Sequence, residues 1–361
     1  MYLLDNTLKF PKENFNSMVY QPYELKPSFS MKRVKQWHDY WKDLVYIALS
    51  GGLDSTVMAY IVCEAYIRYE LSGTVYLVFA DTGMEYPEIR EFVKYYASWL
   101  QEKFPMLEIV LEIVRPDKNF KQVCEEEGFP LISKEVAAKI RKLRHGNLSE
   151  RYRNYLLNGD ERGKFGMLPK CHRHLVYEEY DVSERCCIIL KEGPLNDFEK
   201  RTGRKPFVGI TQDESFVRSN KYNHTGCNIY SGNKLKSQPI AFFLRDDVLH
   251  YKVSHSIPIC SVYGEVKQDP QGNYYTTGEN RTGCVPCGFG AHKEKEPNRF
   301  QRLSCSDCKS HRAMYNWVMR LKNNGVTYQE ALESCNIPVT TWESEGQLNF
   351  DDIGGVLYEN I

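Results

Sequence analysis

The chain has 361 residues, 42% of them hydrophobic and 26% charged, with 47 basic side chains balanced by 47 acidic ones. That make-up excludes a polycation, a collagen and a disordered chain, and gives enough material for one large domain or two modest ones. No apolar run reaches the roughly 18 residues needed to cross a bilayer. The opening MYLLDNTLKFPKENF lacks a basic region followed by an apolar one, so a cytoplasmic protein with no membrane partner is expected.

Residues 1–40 are polar and aromatic without clear periodicity and read as an N-terminal arm. Leu44 to Leu49 is a short apolar run, strand-like, closed by Ser50-Gly51-Gly52. Residues 54–69 read as a helix apolar on most faces, and Thr74 to Ala80 as a second strand. Pro87 suits the first turn of a helix, and Ile89, Phe92, Val93, Tyr96 and Leu100 then form a 3.6-residue stripe. Leu107 to Val114 is a third strand. Strand–helix–strand–helix–strand predicts a parallel sheet with helices on its faces. Further on, 117–160 reads as mainly helical, Pro206 to Ile210 as a strand, and 245–254 and 309–323 as helices. The 264–290 region carries turn signals without strong periodicity, and the last dozen residues read as a loose tail.

Between Lys134 and His174 eleven Lys/Arg face four Asp/Glu. Such a segment is either a solvated helical face or a surface that tracks phosphates of a nucleotide or nucleic acid. Twelve cysteines are the unusual count. Reduced thiols are expected without an export signal, so clustered cysteines read as metal or iron–sulfur ligands before disulfides. The clusters are Cys186-Cys187, Cys284/Cys287 and Cys305/Cys308; single cysteines such as Cys63 and Cys124 read as buried apolar residues.

The strongest local signal is Ser50-Gly51-Gly52-Leu53-Asp54-Ser55, directly after a strand and opening a helix. Glycines let the backbone approach a phosphate, and the helix N-terminus aims N–H groups and partial positive charge at it. Ser50 and Ser55 add hydroxyl donors. No Gly-Lys-Ser/Thr follows, so this is not the Walker A loop. It resembles the SGGxDS loop of the PP-loop family, the N-type ATP pyrophosphatases and adenylyl-sulfate reductases. Phe79-Ala80-Asp81-Thr82-Gly83-Met84-Glu85 resembles a segment of phosphoadenosine phosphosulfate (PAPS) reductases that lies near the nucleotide. Gly209 to Arg218 resembles a stretch of the same family in which basic groups meet phosphate or sulfate; Thr211 stands where an Arg is often found, while Arg218 is present. Pro239-Ile240, Asp247-Val248, Val262-Tyr263-Gly264 and Arg281-Thr282-Gly283-Cys284 follow in the order found in PAPS reductase-like proteins of bacteria and their phages.

Cys186-Cys187 with Lys191, followed by Cys284-Val285-Pro286-Cys287, resembles the CC…CxxC pattern that holds a [4Fe–4S] cluster in adenosine phosphosulfate (APS) reductases. A zinc site is the alternative: Cys284, Cys287, Cys305 and Cys308 alone have the C-x2-C-x17-C-x2-C spacing of a four-cysteine zinc ribbon. One family feature is missing. Assimilatory reductases carry a nucleophilic cysteine in an ECGLH-like context, whereas Cys335 here stands in Glu333-Ser334-Cys335-Asn336 and reads as a buried helix-end residue.

The resemblance implies a Rossmann-like sheet of the adenine nucleotide alpha hydrolase type over about 41–215, a cysteine-containing part at 216–310 and a helical tail at 311–361. It implies ATP or an adenylyl sulfate held by Ser50, Gly51, Gly52, Asp54, Ser55, Asp81, Thr82 and Arg218, and a [4Fe–4S] cluster on Cys186, Cys187, Cys284 and Cys287. The expected activity is adenylation or sulfur transfer, with a nucleic acid among the acceptors and an unidentified sulfur donor or reductant. The rivals are a sulfite-forming PAPS or APS reductase and a non-catalytic nucleotide- or nucleic-acid-binding module with structural zinc. No catalytic nucleophile is assigned.

Overall fold

A computed structural model describes residues 18–214, 226–232 and 234–340. The chain forms two compact units, each assembled from separate stretches: residues 1–81, 85–116 and 193–283 make the first, and 82–84, 117–192 and 284–361 the second.

The first unit is built on a six-stranded sheet. Its strands are β1 (Val45–Ala48), β2 (Val75–Ala80), β3 (Ile109–Val114), β4 (Lys205–Val208), β5 (Asn228–Ile229) and β6 (Lys236–Ser237). They lie in the order β3-β2-β1-β4-β6-β5. All neighbours are parallel except the β5–β6 pair at one edge. This is the doubly wound α/β arrangement expected from the alternation of strands and helices. Central β1 is covered on both faces, which explains why Val45, Tyr46 and Ile47 read as a run rather than an alternation.

Among the described residues, five helices belong to this unit: α1 (Lys26–Trp41), α2 (Leu53–Arg68), α3 (Pro87–Lys103), α4 (Gly193–Thr202) and α5 (Arg245–Ser254). Helix α2 is buried nearly all round, with Val57, Met58, Ala59, Ile61, Val62 and Cys63 inaccessible to solvent, so it behaves as a core rod rather than an amphipathic surface helix. Helix α3 buries the five stripe residues read from the sequence, Ile89, Phe92, Val93, Tyr96 and Leu100.

Helix α1 corrects the reading of residues 1–40 as an arm without periodicity. Its buried face comprises Lys26, Ser30, Met31, Val34, Trp37 and His38. Half of these are polar, so the hydrophobic period is broken in sequence although the face is continuous in space. Lys26 is held by Asp247 of α5, Nζ to Oδ2 2.5 Å, and His38 Nε2 lies 2.8 Å from the Ser72 carbonyl oxygen. Left-handed Lys42 and Asp43 then end the helix and turn the chain into β1.

In the second unit, helices Phe120–Glu127, Lys134–His145 and Glu150–Asn158 come from the middle stretch, and Arg299–Ser304, Lys309–Met319 and Tyr328–Glu333 from the last. The first three start on the side chains of Asn119, Ser133 and Ser149, which accept the orphan N–H groups of the first turn. Leu131-Ile132 pairs in parallel with Gly288-Phe289 and ties the two stretches together. Buried Asn323 strengthens the tie: its Nδ2 donates to the Cys124 carbonyl at 2.9 Å and its Oδ1 accepts the Asp181 N–H at 2.7 Å.

Candidate functional site

The Ser50–Ser55 loop leaves the carboxyl end of β1 and enters α2. Strands β2 and β4 flank β1 on opposite sides, so the loop stands where the strand order reverses, the usual ligand crevice of an open α/β sheet. Gly51 has φ +70°, a left-handed conformation that glycine adopts without strain. Hydroxyls pin the turn. The Ser50 N–H donates to Ser55 Oγ at 3.1 Å, and Ser55 Oγ donates to the Gly52 carbonyl at 2.9 Å. Ser50 Oγ and Ser55 Oγ are 2.9 Å apart.

Two residues from distant sequence complete the turn. Tyr263 Oη accepts the Leu53 N–H, the first of the helix, at 2.9 Å and meets Thr282 Oγ1 at 2.8 Å. A β-carbon on Gly52 would come within 3.1 Å of Thr282 Oγ1, 3.2 Å of Ser50 Oγ and 3.4 Å of Tyr263 Oη. The loop is thus a glycine turn bordered by hydroxyl groups, chemistry suited to phosphate oxygens. Behind it, Gly209 lies flush: a β-carbon there would sit 2.7 Å from Ser55 Cα. Asp54 in the first helical turn has Oδ1 3.6 Å from Arg245 Nη1.

Asp81 follows β2 at the same end of the sheet. Its carboxylate is bracketed by Arg90, Nη2 to Oδ1 2.8 Å, and Arg115, Nε to Oδ2 3.2 Å. Thr82 belongs to the second unit: it is buried, accepts the Met84 N–H at 3.1 Å and lies 3.9 Å from Cys284 Sγ. Thr211 is buried after β4. Arg218 lies outside the described residues.

The cysteine group lies within the second unit. Cys186 and Cys187 occupy a helical turn, Arg185–Cys187, that widens into a π-helical segment, Ile188–Glu192. Such wide turns cluster at functional sites because they re-aim side chains. The pair interacts with both members of the CxxC: hydrogen bonding to Cys187, burial, and the charges of Cys187, Cys287 and Cys284 push the Cys186 thiol strongly up. Cys187 takes the complementary role. Its hydrogen bond with Cys186 outweighs burial and, with Lys134 and Lys191, lowers it to about 6. Of the pair, Cys187 is the one pushed toward the thiolate and Cys186 the one pushed away from it.

Cations gather on this group. Burial opposes the charge of Lys134, but facing Cys187 raises its pKa on balance. Arg299 Nη1 donates to the Cys287 carbonyl at 2.8 Å and is fixed by Glu294, whose Oε1 lies 2.8 Å from Nε. Burial raises Cys287, opposed by the Phe289 N–H, with Cys187, Arg299 and Lys134 as its charged neighbours. Cys305 and Cys308 lie in the turn between helices Arg299–Ser304 and Lys309–Met319. Cys335 is buried beside Ser334 and Tyr180, and burial pushes its thiol up to about 11.

The support from Tyr263, Thr282, Gly209, Arg90, Arg115, Lys134 and Arg299 was not assigned from sequence. Tyr263, Thr282 and Gly209 stand in segments matching the family order, which was the available signal; the other four carry no local pattern that marks a site.

Residues 147–311 match the family model described as "Phosphoadenosine phosphosulfate reductase domain". No curated protein matches the sequence. Among solved structures, the chain is similar to the crystal structure of phosphoadenylyl-sulfate (PAPS) reductase from Candida auris in a phosphate complex. Identity is 13%, over 72% of this chain and 96% of that one, with a TM-score of 0.36. The family likeness is confined to residues 147–311, the stretch that contains Cys186, Cys187, Cys284 and Cys287.

Proposed function

We propose that this protein is a PP-loop enzyme that binds ATP or an adenylyl sulfate on the Ser50–Ser55 loop and adenylates or transfers sulfur to an acceptor. The observation that carries the reading is the Gly51-Gly52 turn, bordered by four hydroxyls and placed where the strand order reverses. With ATP, an acceptor oxygen attacks the α-phosphorus, the bond to the β-phosphate oxygen breaks, and pyrophosphate leaves. The loop's N–H groups and the positive end of α2 stabilise the charge gathering on that leaving group. Ser50, Ser55 and Thr282 orient the phosphates, and Arg90 and Arg115 supply positive charge at the neighbouring strand end.

Cys186, Cys187, Cys284 and Cys287 would hold a [4Fe–4S] cluster. The residues fit that group: four thiols within electrostatic reach, with Lys134, Lys191 and Arg299 balancing the negative charge of a four-thiolate cluster. The zinc ribbon remains the alternative; the proximity of Cys187 to Cys287 favours the cluster set. A cluster supplies electron or sulfide chemistry when bound. The protein's own part is to desolvate the thiolates and fix their charge.

A nucleic-acid acceptor is supported by the face around helix Glu150–Asn158. Tyr152 and Tyr155 stack at 6.1 Å yet remain exposed, Phe165 is 68% exposed, and exposed Arg151, Arg162 and Lys164 stand close to them in sequence. Aromatic platforms between cations suit unpaired bases and their phosphates.

Equilibrium binding of ATP, APS and PAPS to the anaerobically purified protein tests the nucleotide site. Gly52→Val should weaken binding at least about tenfold while the melting curve shows a folded protein; unchanged affinity would remove the loop from the mechanism. Iron analysis tests the ligand set: each Cys→Ser change among the four should remove most of the iron, and full occupancy in Cys187→Ser would end the cluster assignment.

A further inference from the structure

We infer that Arg245 is the cation that grips the anion on the Ser50–Ser55 loop: the pyrophosphate of ATP or the sulfate of an adenylyl sulfate, both tetrahedral oxyanions carried beyond the α-phosphate. This role rests on the reading of that loop as a nucleotide site, and every residue it uses belongs to the first unit. Strands β1, β4 and β6 run parallel, so the chain leaving β6 emerges at the same end of the sheet as the loop after β1. It then enters α5, whose first residue is Arg245. Two carboxylates pin that start. The Arg245 N–H donates to Asp213 Oδ2 at 2.9 Å, and the Leu244 N–H to Asp247 Oδ2 at 2.7 Å. The Gln212 N–H also donates to the Phe243 carbonyl at 2.9 Å. The backbone of Arg245 is thereby fixed beside residues 211–213, where buried Thr211 carries no charge.

The side chain reaches the loop. Its guanidinium carbon lies 5.6 Å from the centre of the Tyr263 ring, and Tyr263 Oη accepts the Leu53 N–H at the head of α2. Nη1 stands 3.6 Å from Oδ1 of Asp54, the next residue of that helix. The separation allows charge attraction but is too long for a hydrogen bond. Burial raises the Tyr263 phenol; Arg245 draws it down and Asp54 up, so both charges act on the oxygen that supports the loop. The donor is underused. Nη2 is buried and has no hydrogen-bond partner among the described residues. A buried guanidinium N–H without an acceptor is costly, and a planar fork of donors suits two oxygens of one oxyanion. Arg90 and Arg115 differ, because each already gives a nitrogen to Asp81, at 2.8 and 3.2 Å. The Arg245 and Asp54 side chains remain 30% and 24% exposed, so an anion can reach the pair. Asp54 acts as a positioning residue: it keeps the guanidinium at the loop, loosely enough for the fork to turn onto a phosphate or sulfate.

The experiment is isothermal calorimetry of the full, anaerobically purified chain with pyrophosphate, ATP, APS and AMP. Arg245→Gln should weaken the ligands that carry the outer anion by about tenfold to a hundredfold, and AMP by less than about threefold. A loss confined to pyrophosphate and ATP assigns Arg245 to the pyrophosphate; a loss confined to APS assigns it to the sulfate. Arg245→Lys keeps the charge without the fork and should recover only part of the affinity; it gives a second reading of the same contact. Melting curves of both variants without ligand should stay close to that of wild type, which separates a lost contact from a lost fold. The role falls, with the loop reading intact, if Gly52→Val loses the ligands while Arg245→Gln binds all four as wild type does. It falls equally if AMP is weakened as much as the longer ligands, the mark of a residue that only shapes the loop. If wild type binds none of the four, the nucleotide reading of the loop fails and the role of Arg245 fails with it.

Discussion

Tyr263 shows how one hydroxyl can decide a loop. Its oxygen accepts the first N–H of α2 and meets Thr282, and the residue is almost completely buried. Removing the oxygen leaves a buried amide unpaired, at a cost of about 1–3 kcal/mol. Tyr263→Phe should therefore lower the melting temperature and weaken ATP binding by roughly tenfold, measured by calorimetry. If both stay at wild-type values, the hydroxyl does not support the loop. Cys187 offers a second test at this scale. With the metal removed, alkylation should fall on Cys187 before Cys186, because Cys187 is the member of the pair whose pKa is lowered, chiefly by its hydrogen bond with Cys186. Buried Cys63 and Cys124, whose thiols burial pushes up, should react only on unfolding. Peptide mapping of the labelled protein reads this directly. The four cysteines could be chosen from sequence because two close pairs stand out from single cysteines. Lys134 and Arg299 could not: lysines and arginines are common, and only folding shows which of them face a thiolate.

Elements add constraints that single residues do not. Gly209, just after β4, rests on the backbone at the start of α2, and a β-carbon there would meet Ser55 Cα at 2.7 Å and Ser55 N at 2.8 Å. Backbone cannot swing aside as a side chain can. Gly209→Ala should cost about 1–3 kcal/mol and loosen nucleotide binding, while Gly283→Ala, which meets no atom within 4 Å, should be close to neutral. Comparable losses in the two variants, read by chemical denaturation, would contradict the close approach. The helix Lys134–His145 is joined to the segment before Cys186 by Arg141, whose Nε and Nη2 reach Glu184 at 3.1 and 2.7 Å. Burial works against the Glu184 charge, but its hydrogen bonds to Arg141 and the backbone outweigh this and lower its pKa. A carboxylate depressed in the folded state stabilises above its unfolded pKa, and that stabilisation disappears as pH falls through the folded value. Glu184→Gln should thus lose about 1–2 kcal/mol at pH 7, with the difference from wild type shrinking below about pH 4; a gap constant from pH 7 to pH 3 would show that the pair carries no charge energy. Strands β1 to β3 were legible as short apolar runs, and helix α3 as an apolar stripe of regular period. Helix α1 was not, because polar Lys26, Ser30 and His38 occupy its buried face and find partners or cover in the fold.

At the scale of the molecule, the reaction and the architecture can be tested together. Cys335 is buried, its thiol is pushed up to about 11, and it lacks the Gly-Leu-His context of the reductase nucleophile. Thioredoxin-dependent release of sulfite from PAPS or APS should therefore be absent or very slow; robust release that disappears in Cys335→Ser would make the protein a sulfite-forming reductase. The assignment of stretches to units was the least legible feature. A reading along the chain divides it into consecutive pieces, whereas here 193–283 returns to complete the first unit after 117–192 has built part of the second. Burial and turn chemistry are local signals, and the return of a strand from far along the chain leaves none.

That return has a consequence during synthesis. β1 pairs in register with β4, Val45 opposite Lys205 and Ala48 opposite Val208, so one side of the sheet's central strand waits until residues beyond 208 have left the ribosome. At about 5–20 residues per second, the apolar edge of β1 stays uncovered for roughly ten to thirty seconds. Chain-spanning pairing of this kind is intrinsically slow and exposes sticky edges meanwhile. Nascent chains arrested near residue 190 should be protease-sensitive and bind holdase chaperones, and chains arrested some tens of residues past 283 should be resistant. Equal resistance at both lengths would mean that the sheet closes without its fourth strand.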